Sequence, residues 1–234
     1  ITADFNVILS SATNGVFSVD YTTKDGSATV ADNDYESAAG TLEFRGNSGE
    51  TQTIRVTVNG DRKIERDENF TVELSNLTES FGGRLVLSGS PATGTILDDD
   101  NIPANKKITV TKNDAAEGEY DGSFIFSFPA GISSDFQTII PFKLNGTAKG
   151  GGLDYQAMPS ATAITIPAGQ TSATISIPVM DDAVIEETET VILVPETITN
   201  NRYNGITVNT PVPVLQIFDN DKGELKVSNP IIVE

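Results

Sequence analysis

One feature constrains this chain more than any other: it reads the same stretch twice. Gly26-Ser27-Ala28 and Asp34-Tyr35 return as Gly146-Thr147-Ala148 and Asp154-Tyr155, 120 residues on. Ile64-Glu65-Arg66-Asp67-Glu68 returns as Ile185-Glu186-Glu187-Thr188-Glu189 at an offset of 121, and Ile96-Leu97-Asp98-Asp99-Asp100 as Ile217-Phe218-Asp219-Asn220-Asp221 at the same 121. Three landmarks in one order at nearly one spacing mean two tandem copies of a single domain. The expected boundaries are residues 1–101 and 102–222, with Asn101-Ile102-Pro103 breaking the pattern at the junction. A linker that short predicts an end-to-end arrangement. Glu224-Leu225-Lys226-Val227 alternates like Lys107-Ile108-Thr109-Val110, and Glu234 falls about where Glu117 does, so residues 223–234 are expected to begin a third copy. By the same reasoning the first copy is expected to have lost its opening strand upstream of Ile1, which would leave a sheet edge or groove unfilled. The start at Ile1, inside an alternating segment, gives the expectation of a piece of a longer protein.

Within each copy the hydrophobic period is two. Ile54-Arg55-Val56-Thr57-Val58, Phe70-Thr71-Val72-Glu73-Leu74 and Thr174-Ile175-Ser176-Ile177 alternate and are bounded by Gly, Asn, Asp or Pro, the pattern of half-buried antiparallel strands. Helical periodicity is hard to find. An all-β chain of β-sandwiches follows.

Acidic residues outnumber basic ones 33 to 15, for a net charge of -18, and there is no His and no Cys. That balance repels nucleic acid and anionic lipid and attracts cations, which makes calcium an early suspect. The missing residue types remove disulfides, thiolate or imidazole zinc sites, Cys nucleophiles and His-based triads. No apolar run approaches the roughly 18 residues of a membrane helix, so no direct membrane insertion is expected. A Cys-free, acidic, Thr/Ser/Gly/Asn-rich β composition gives the expectation of a secreted or cell-surface bacterial protein.

A set of acids recurs with the repeat while neighbouring charges do not. In the first copy it is Asp34, Asp61, Glu65, Asp98, Asp99 and Asp100; in the second, Glu117, Asp154, Asp181, Asp182, Glu186, Asp219 and Asp221. Each borders a strand and so lies on a loop, and the loops of a sandwich gather at its ends. Crowded carboxylates repel one another and raise their own pKa values unless a cation intervenes. With only oxygen donors available, a hard ion such as calcium, which takes 6 to 8 oxygens, is favoured. The spacing is not that of an EF-hand, whose ligands fall within 12 consecutive residues. Solvated loops are the bland alternative, and register across two copies argues against them. No enzyme is expected: a carboxylate pair for glycoside hydrolysis needs one acid held apart in an apolar setting, and these acids sit together.

At these residues the chain resembles the Calx-beta family. The resemblance runs through Tyr21-Thr22-Thr23-Lys24-Asp25-Gly26-Ser27-Ala28, Asn33-Asp34-Tyr35, Gly40-Thr41-Leu42-Glu43-Phe44, Glu65-Arg66-Asp67-Glu68-Asn69-Phe70 and Ala92-Thr93-Gly94-Thr95-Ile96 with the acids that follow. In the second copy it runs through Gly152-Leu153-Asp154-Tyr155, Pro167-Ala168-Gly169, Asp181-Asp182 and Asp219-Asn220-Asp221. It implies immunoglobulin-like sandwiches of about seven strands with calcium held at one end by the acids already collected. Glu117 takes the part of the family's opening-strand glutamate. Gly60 stands where the second copy has Asp181, and Arg62 and Lys63 add positive charge beside it. Members of the family occur as cytosolic regulators in sodium-calcium exchangers, in integrin β4 and in bacterial adhesins. The expected function is a calcium-stiffened stalk of a bacterial surface adhesin. Its partners would be neighbouring repeats of the same chain, with a glycan or protein ligand held elsewhere in the full protein. The alternative is a calcium-sensing regulatory tandem of a membrane transporter.

Overall fold

A computed structural model describes residues 1–156, 162–198 and 202–229; Glu234 lies outside them. Among the described residues the chain forms seventeen strands and no helix. It divides into two compact units. The first holds Ile1–Arg62 and Arg66–Asp99, the second Lys63–Glu65 and the chain from Asp100 onward.

The first unit contains β1 (Thr2–Ile8), β2 (Phe17–Asp25), β3 (Ala39–Phe44) and β4 (Thr51–Thr57). After the two-residue β5 (Lys63–Ile64), which belongs to the other unit, come β6 (Glu68–Ser75) and β7 (Ala92–Ile96). One sheet runs β3-β2-β6-β7 and a second is the pair β1-β4. The predicted alternation is realised: Ile54, Val56, Phe70 and Val72 are buried, and Arg55 between the first two faces water. The core between the sheets centres on Phe17, Val19, Phe44, Ile54 and Phe70, with the Tyr35 ring stacked on Phe70 at 4.5 Å. Tyr35 keeps its hydroxyl satisfied by donating to Asp25 at 2.6 Å, as a buried phenol must.

The second unit contains β8 (Lys107–Asn113), β9 (Ala115–Ala116), β10 (Gly122–Ser127), β11 (Ser133–Ser134) and β12 (Thr138–Gly146). It continues with β13 (Ala163–Ile166), β14 (Ser172–Ile177), β15 (Glu189–Pro195), β16 (Thr207–Val208) and β17 (Leu215–Phe218). Its sheets run β14-β10-β8-β16 and β13-β12-β15-β17-β9. Phe124, Phe126, Ile140, Leu193 and Ile217 fill the space between them, joined by Ile64 from β5.

The long pairings are antiparallel as the alternation predicts, and the parallel ones, β16 with β8, β17 with β9 and β11 with β5, are each two residues long. They mark places where the chain closes a sheet edge. The clearest is at Asp114, where the strand leaves one sheet as β8 and enters the other as β9. There the Asp114 carboxylate accepts from the Lys112 ammonium and, at 2.7 Å, from the main-chain N–H of Gln216. Residues 221–229 carry no strand.

Candidate metal centre

The switch into the second sheet positions the first acid. Ala115 and Ala116 are buried against β17, and the N–H of Glu117 donates to the carbonyl of Phe218 at 3.0 Å. Glu117 therefore stands beside the chain just past β17, where Asp219 and Asp221 follow. The three offer carboxylate oxygens all within 4.8 Å of one another. Glu117 is only 4% exposed. The turn beyond it depends on Gly118, at φ +67°: a Cβ there would lie 2.7 Å from Asn220 Nδ2 and 2.8 Å from Asp181 Oδ1. Asn220 ties this end together, donating to the Glu117 carbonyl at 2.7 Å and to Asp181 Oδ1 at 3.1 Å.

A second group lies at the same end. Asp154 sits in the turn that follows Gly150-Gly151-Gly152, its carbonyl accepting from Met180 at 3.0 Å and its Oδ2 from the Lys149 N–H at 2.5 Å. Glu186 comes from the loop before β15 and Glu189 from the first residue of β15. The carboxylate oxygens of Asp154, Glu186 and Glu189 also gather within 4.8 Å. The two groups touch electrostatically and by hydrogen bond, because the Glu186 N–H donates to Asp219 Oδ2 at 2.8 Å.

Their protonation reflects the crowding. Burial, then the charges of Asp219, Glu186, Asp182 and Asp221, push the Glu117 carboxyl up to about 7. Burial, then the hydrogen bond and charge of Asp154, push Glu189 up to about 7. Glu186 is raised by burial and by Asp154, Asp182 and Asp219, and Asp221 by burial and by Asp219, Asp181 and Asp182. Asp219 moves the other way, because the N–H groups of Asp221 and Glu186 stabilise its charge. Asp182 spends Oδ1 on the Val184 N–H at 2.7 Å.

Three buried carboxylate oxygens at this end, Glu117 Oε2, Glu189 Oε2 and Asp221 Oδ2, have no hydrogen-bond partner among the described residues. A buried acceptor without a donor is costly. Two such groups of hard oxygens, mutually repelling and short of protons or donors, fit a hard divalent cation.

In the first unit the carboxylates of Asp34 and Asp61 approach within the same 4.8 Å. Asp34 is 6% exposed and accepts from the Thr29 N–H at 2.7 Å, and its carbonyl accepts from Asn59, as that of Asp154 does from Met180. Glu65 lies on the segment counted with the second unit and pairs with Lys63 at 2.9 Å. The Asp98 N–H donates to Asp67 Oδ1 at 3.0 Å, and Asp100 accepts from Asn105 at 3.0 Å through its side chain. Among the described residues, Asp98, Asp99, Asp100, Asp181 and Asp182 fall in no group of three at that spacing.

Sequence reasoning overlooked Glu189. The signal was present: Glu68 and Glu189 are themselves a recurring pair at offset 121, inside a motif from which only the first glutamate was taken.

Sandwiches that gather loop carboxylates at one end and use neither His nor Cys define a class of all-oxygen, cation-seeking β modules. Residues 2–100 and 135–221 match the Calx-beta domain, and the chain belongs to the Calx-beta family. Sodium/calcium exchanger 1 of Bos taurus is 34% identical over 197 residues, 77% of this chain and 19% of the exchanger. Sodium/calcium exchanger 3 of Mus musculus is 32% identical over 194 residues, 75% of this chain and 20% of the exchanger. The chain thus spans about a fifth of the length of these curated relatives. Among solved structures, the calcium binding domain CBD12 of CALX1.1 is similar over 93% of both chains, at 19% identity and a TM-score of 0.38. The relatives correct one expectation: they are exchangers of mammals, which overturns the placement of this chain as a secreted or surface protein of bacteria.

Proposed function

We propose that this chain is a calcium-sensing regulatory tandem of a membrane transporter, with no catalytic step of its own. The observation that carries the reading is the set of orphaned buried oxygens on Glu117, Glu189 and Asp221, in two groups of carboxylates at one end of a sandwich. Kinship with sodium/calcium exchangers supports the transporter setting over an adhesin stalk.

Glu117, Asp219 and Asp221 would hold one ion and Asp154, Glu186 and Glu189 another, with Asp181 and Asp182 adding negative potential or further oxygens. In the first unit the counterparts would be Asp34 and Asp61, with Asp98 and Asp99 as further acids of that unit. Bound calcium supplies positive charge that cancels the repulsion among these acids. The residues themselves do the sensing. With their charges uncompensated, Glu117 and Glu189 resist ionisation, and the loops around Gly118, Asp154 and Glu186 hold together against repulsion. With compensation, the same loops become the stable end of the sandwich, and calcium concentration is converted into loop order.

Calorimetric titration of the whole chain, first stripped with chelator, tests this. Saturable calcium binding with little response to magnesium is expected, since magnesium demands near-octahedral shells and sheds water reluctantly. Absence of calcium binding would reduce the acidic ends to solvated loops.

A further inference from the structure

The two units dress the same sheet face differently. In the first unit the outward pairs on the sheet β3-β2-β6-β7 are Ser18 with Glu43, Asp20 with Thr41, Thr22 with Glu73, and Lys24 with Thr71, which also stands opposite Thr93. All are polar, as befits the solvated face of an antiparallel sheet. In the second unit the matching pairs are Ile139 with Thr165, Pro141 with Ala163, Lys143 with Val194 and Asn145 with Ile192. Val214 falls 121 residues after Thr93. Ile192, Val194 and Val214 are 37%, 40% and 40% exposed, and Ile139 and Pro141 are half-buried. Single apolar residues in water are ordinary; neighbours on adjacent strands make a patch that marks an interaction surface.

Charge decides the kind of partner. Among the described residues, the outward positions of β12, β13, β15 and β17 carry one charged side chain, Lys143, and Glu196 just past β15 neutralises it at 2.5 Å. In a chain with 33 acidic residues, this face therefore holds no unpaired charge. A basic or acidic partner finds nothing there to pair with, and nucleic acid and anionic lipid are repelled by the net charge of -18. A flat, neutral, apolar surface fits, and a second copy of the chain presents one.

We propose that this face binds the same face of a second copy, sheet on sheet, as a two-fold dimer. Sheets packed in this way lie about 10 Å apart with their strands within about 30° of each other. Ile192, Val194 and Val214 of both copies form the apolar centre, and the acids of each chain stay outside it. The contact is isologous, so it closes at two copies.

Area and charge set its strength. Four strands about 4.8 Å apart, along the nine residues of β12 at about 3.4 Å each, offer at most about 600 Å² per copy. Twice that area lies at the lower limit of specific interfaces, and each copy carries -18 elsewhere. The dimer is therefore weak, forms with rising protein concentration, and tightens when salt screens the repulsion. It uses neither acidic group of the second unit and does not rest on the calcium function proposed above.

Sedimentation velocity of the whole chain in chelator, over a wide range of protein concentration at low and high salt, tests this. Average mass should rise with concentration, level off at two copies, and do so at lower concentration in high salt. The pair Ile192→Thr and Val194→Glu gives the second unit the residue types that the first carries at Thr71 and Glu73, and should weaken dimerisation about tenfold or more. A second arm keeps the apolar residues intact. The chain has no Cys, so Asn145→Cys puts a single thiol on the face, and Lys24→Cys puts one at the matching place in the first unit. A short bis-maleimide should link copies of the Asn145→Cys chain and leave the Lys24→Cys chain unlinked at the same concentration. A chain that stays monomeric at every concentration overturns the proposal. So does mass that grows past two copies, association unchanged by the paired substitution, or equal linking at both positions.

Discussion

The main-chain N–H of Glu186 donates to Oδ2 of Asp219 at 2.8 Å. That bond ties the loop before β15 to the loop after β17, so the two acidic groups of the second unit cannot respond to a cation independently. Loss of a carboxylate from either group should weaken both.

Glu189→Gln tests the acid that recurrence alone should have revealed. The substitution keeps the shape and removes one negative ligand with an orphaned buried oxygen. Calcium affinity should fall about tenfold or more, equivalent to about 1.4 kcal/mol. The chelated protein should melt no lower than the parent, because a strained buried charge has gone. Glu187→Gln, on an exposed neighbour, is the control and should change neither reading. Calorimetry and thermal melts of both variants give the answer; equal affinities would remove Glu189 from the site.

Stability without metal should depend on pH with a definite sign. Glu117 and Glu189 have carboxyls raised to about 7 from an ordinary 4.5. Between those values the folded chain binds more protons than the unfolded one, so this contribution to stability falls as pH rises from about 4.5 through 7. Urea melts in chelator should place the midpoint higher at pH 5.5 than at pH 8, and Glu117→Gln should flatten the difference. Calcium competes with the same protons, so its affinity should climb over the same window. A midpoint that rises with pH in chelator would contradict this account.

Gly118→Ala puts a methyl group on a residue at φ +67° with Asp181 Oδ1 and Asn220 Nδ2 under 3 Å away. Backbone strain of this kind costs of order 1–3 kcal/mol, and the clash pushes apart the side chains that hold Glu117 in place. Reduced stability together with weakened calcium binding is expected. Gly82→Ala, also at positive φ but in open space, should cost stability alone.

The two units should separate in one titration of the whole chain. The second gathers six clustered carboxylates in two groups, whereas the first brings Asp34 and Asp61 together beside Arg62. The stronger attraction for cations lies with the larger negative charge. Asp154→Asn should abolish the tighter phase of calcium binding and Asp34→Asn the weaker. The reverse assignment would show that charge count does not rank the sites.

Much of this was legible in the chain itself, for reasons that are local. A period of two needs no tertiary knowledge to place Ile54, Val56, Phe70 and Val72 on one face, and self-similarity at 120 and 121 residues exposes two domains and a register of acids. Contacts between distant segments were not legible. Glu117 meets Asp219 only because the strand switches sheets at Asp114 and lays Ala115 and Ala116 along β17, and nothing in the residues around position 117 encodes that neighbour. Ile64 and Ile185 occupy the same place in the repeat, yet one is fully buried in the core of the second unit and the other is 60% exposed. Alternation and recurrence follow from the geometry of a strand, which each segment carries alone. Burial, the pKa of a carboxyl and the grouping of charges depend on what packs against the segment, and only the folded chain decides that.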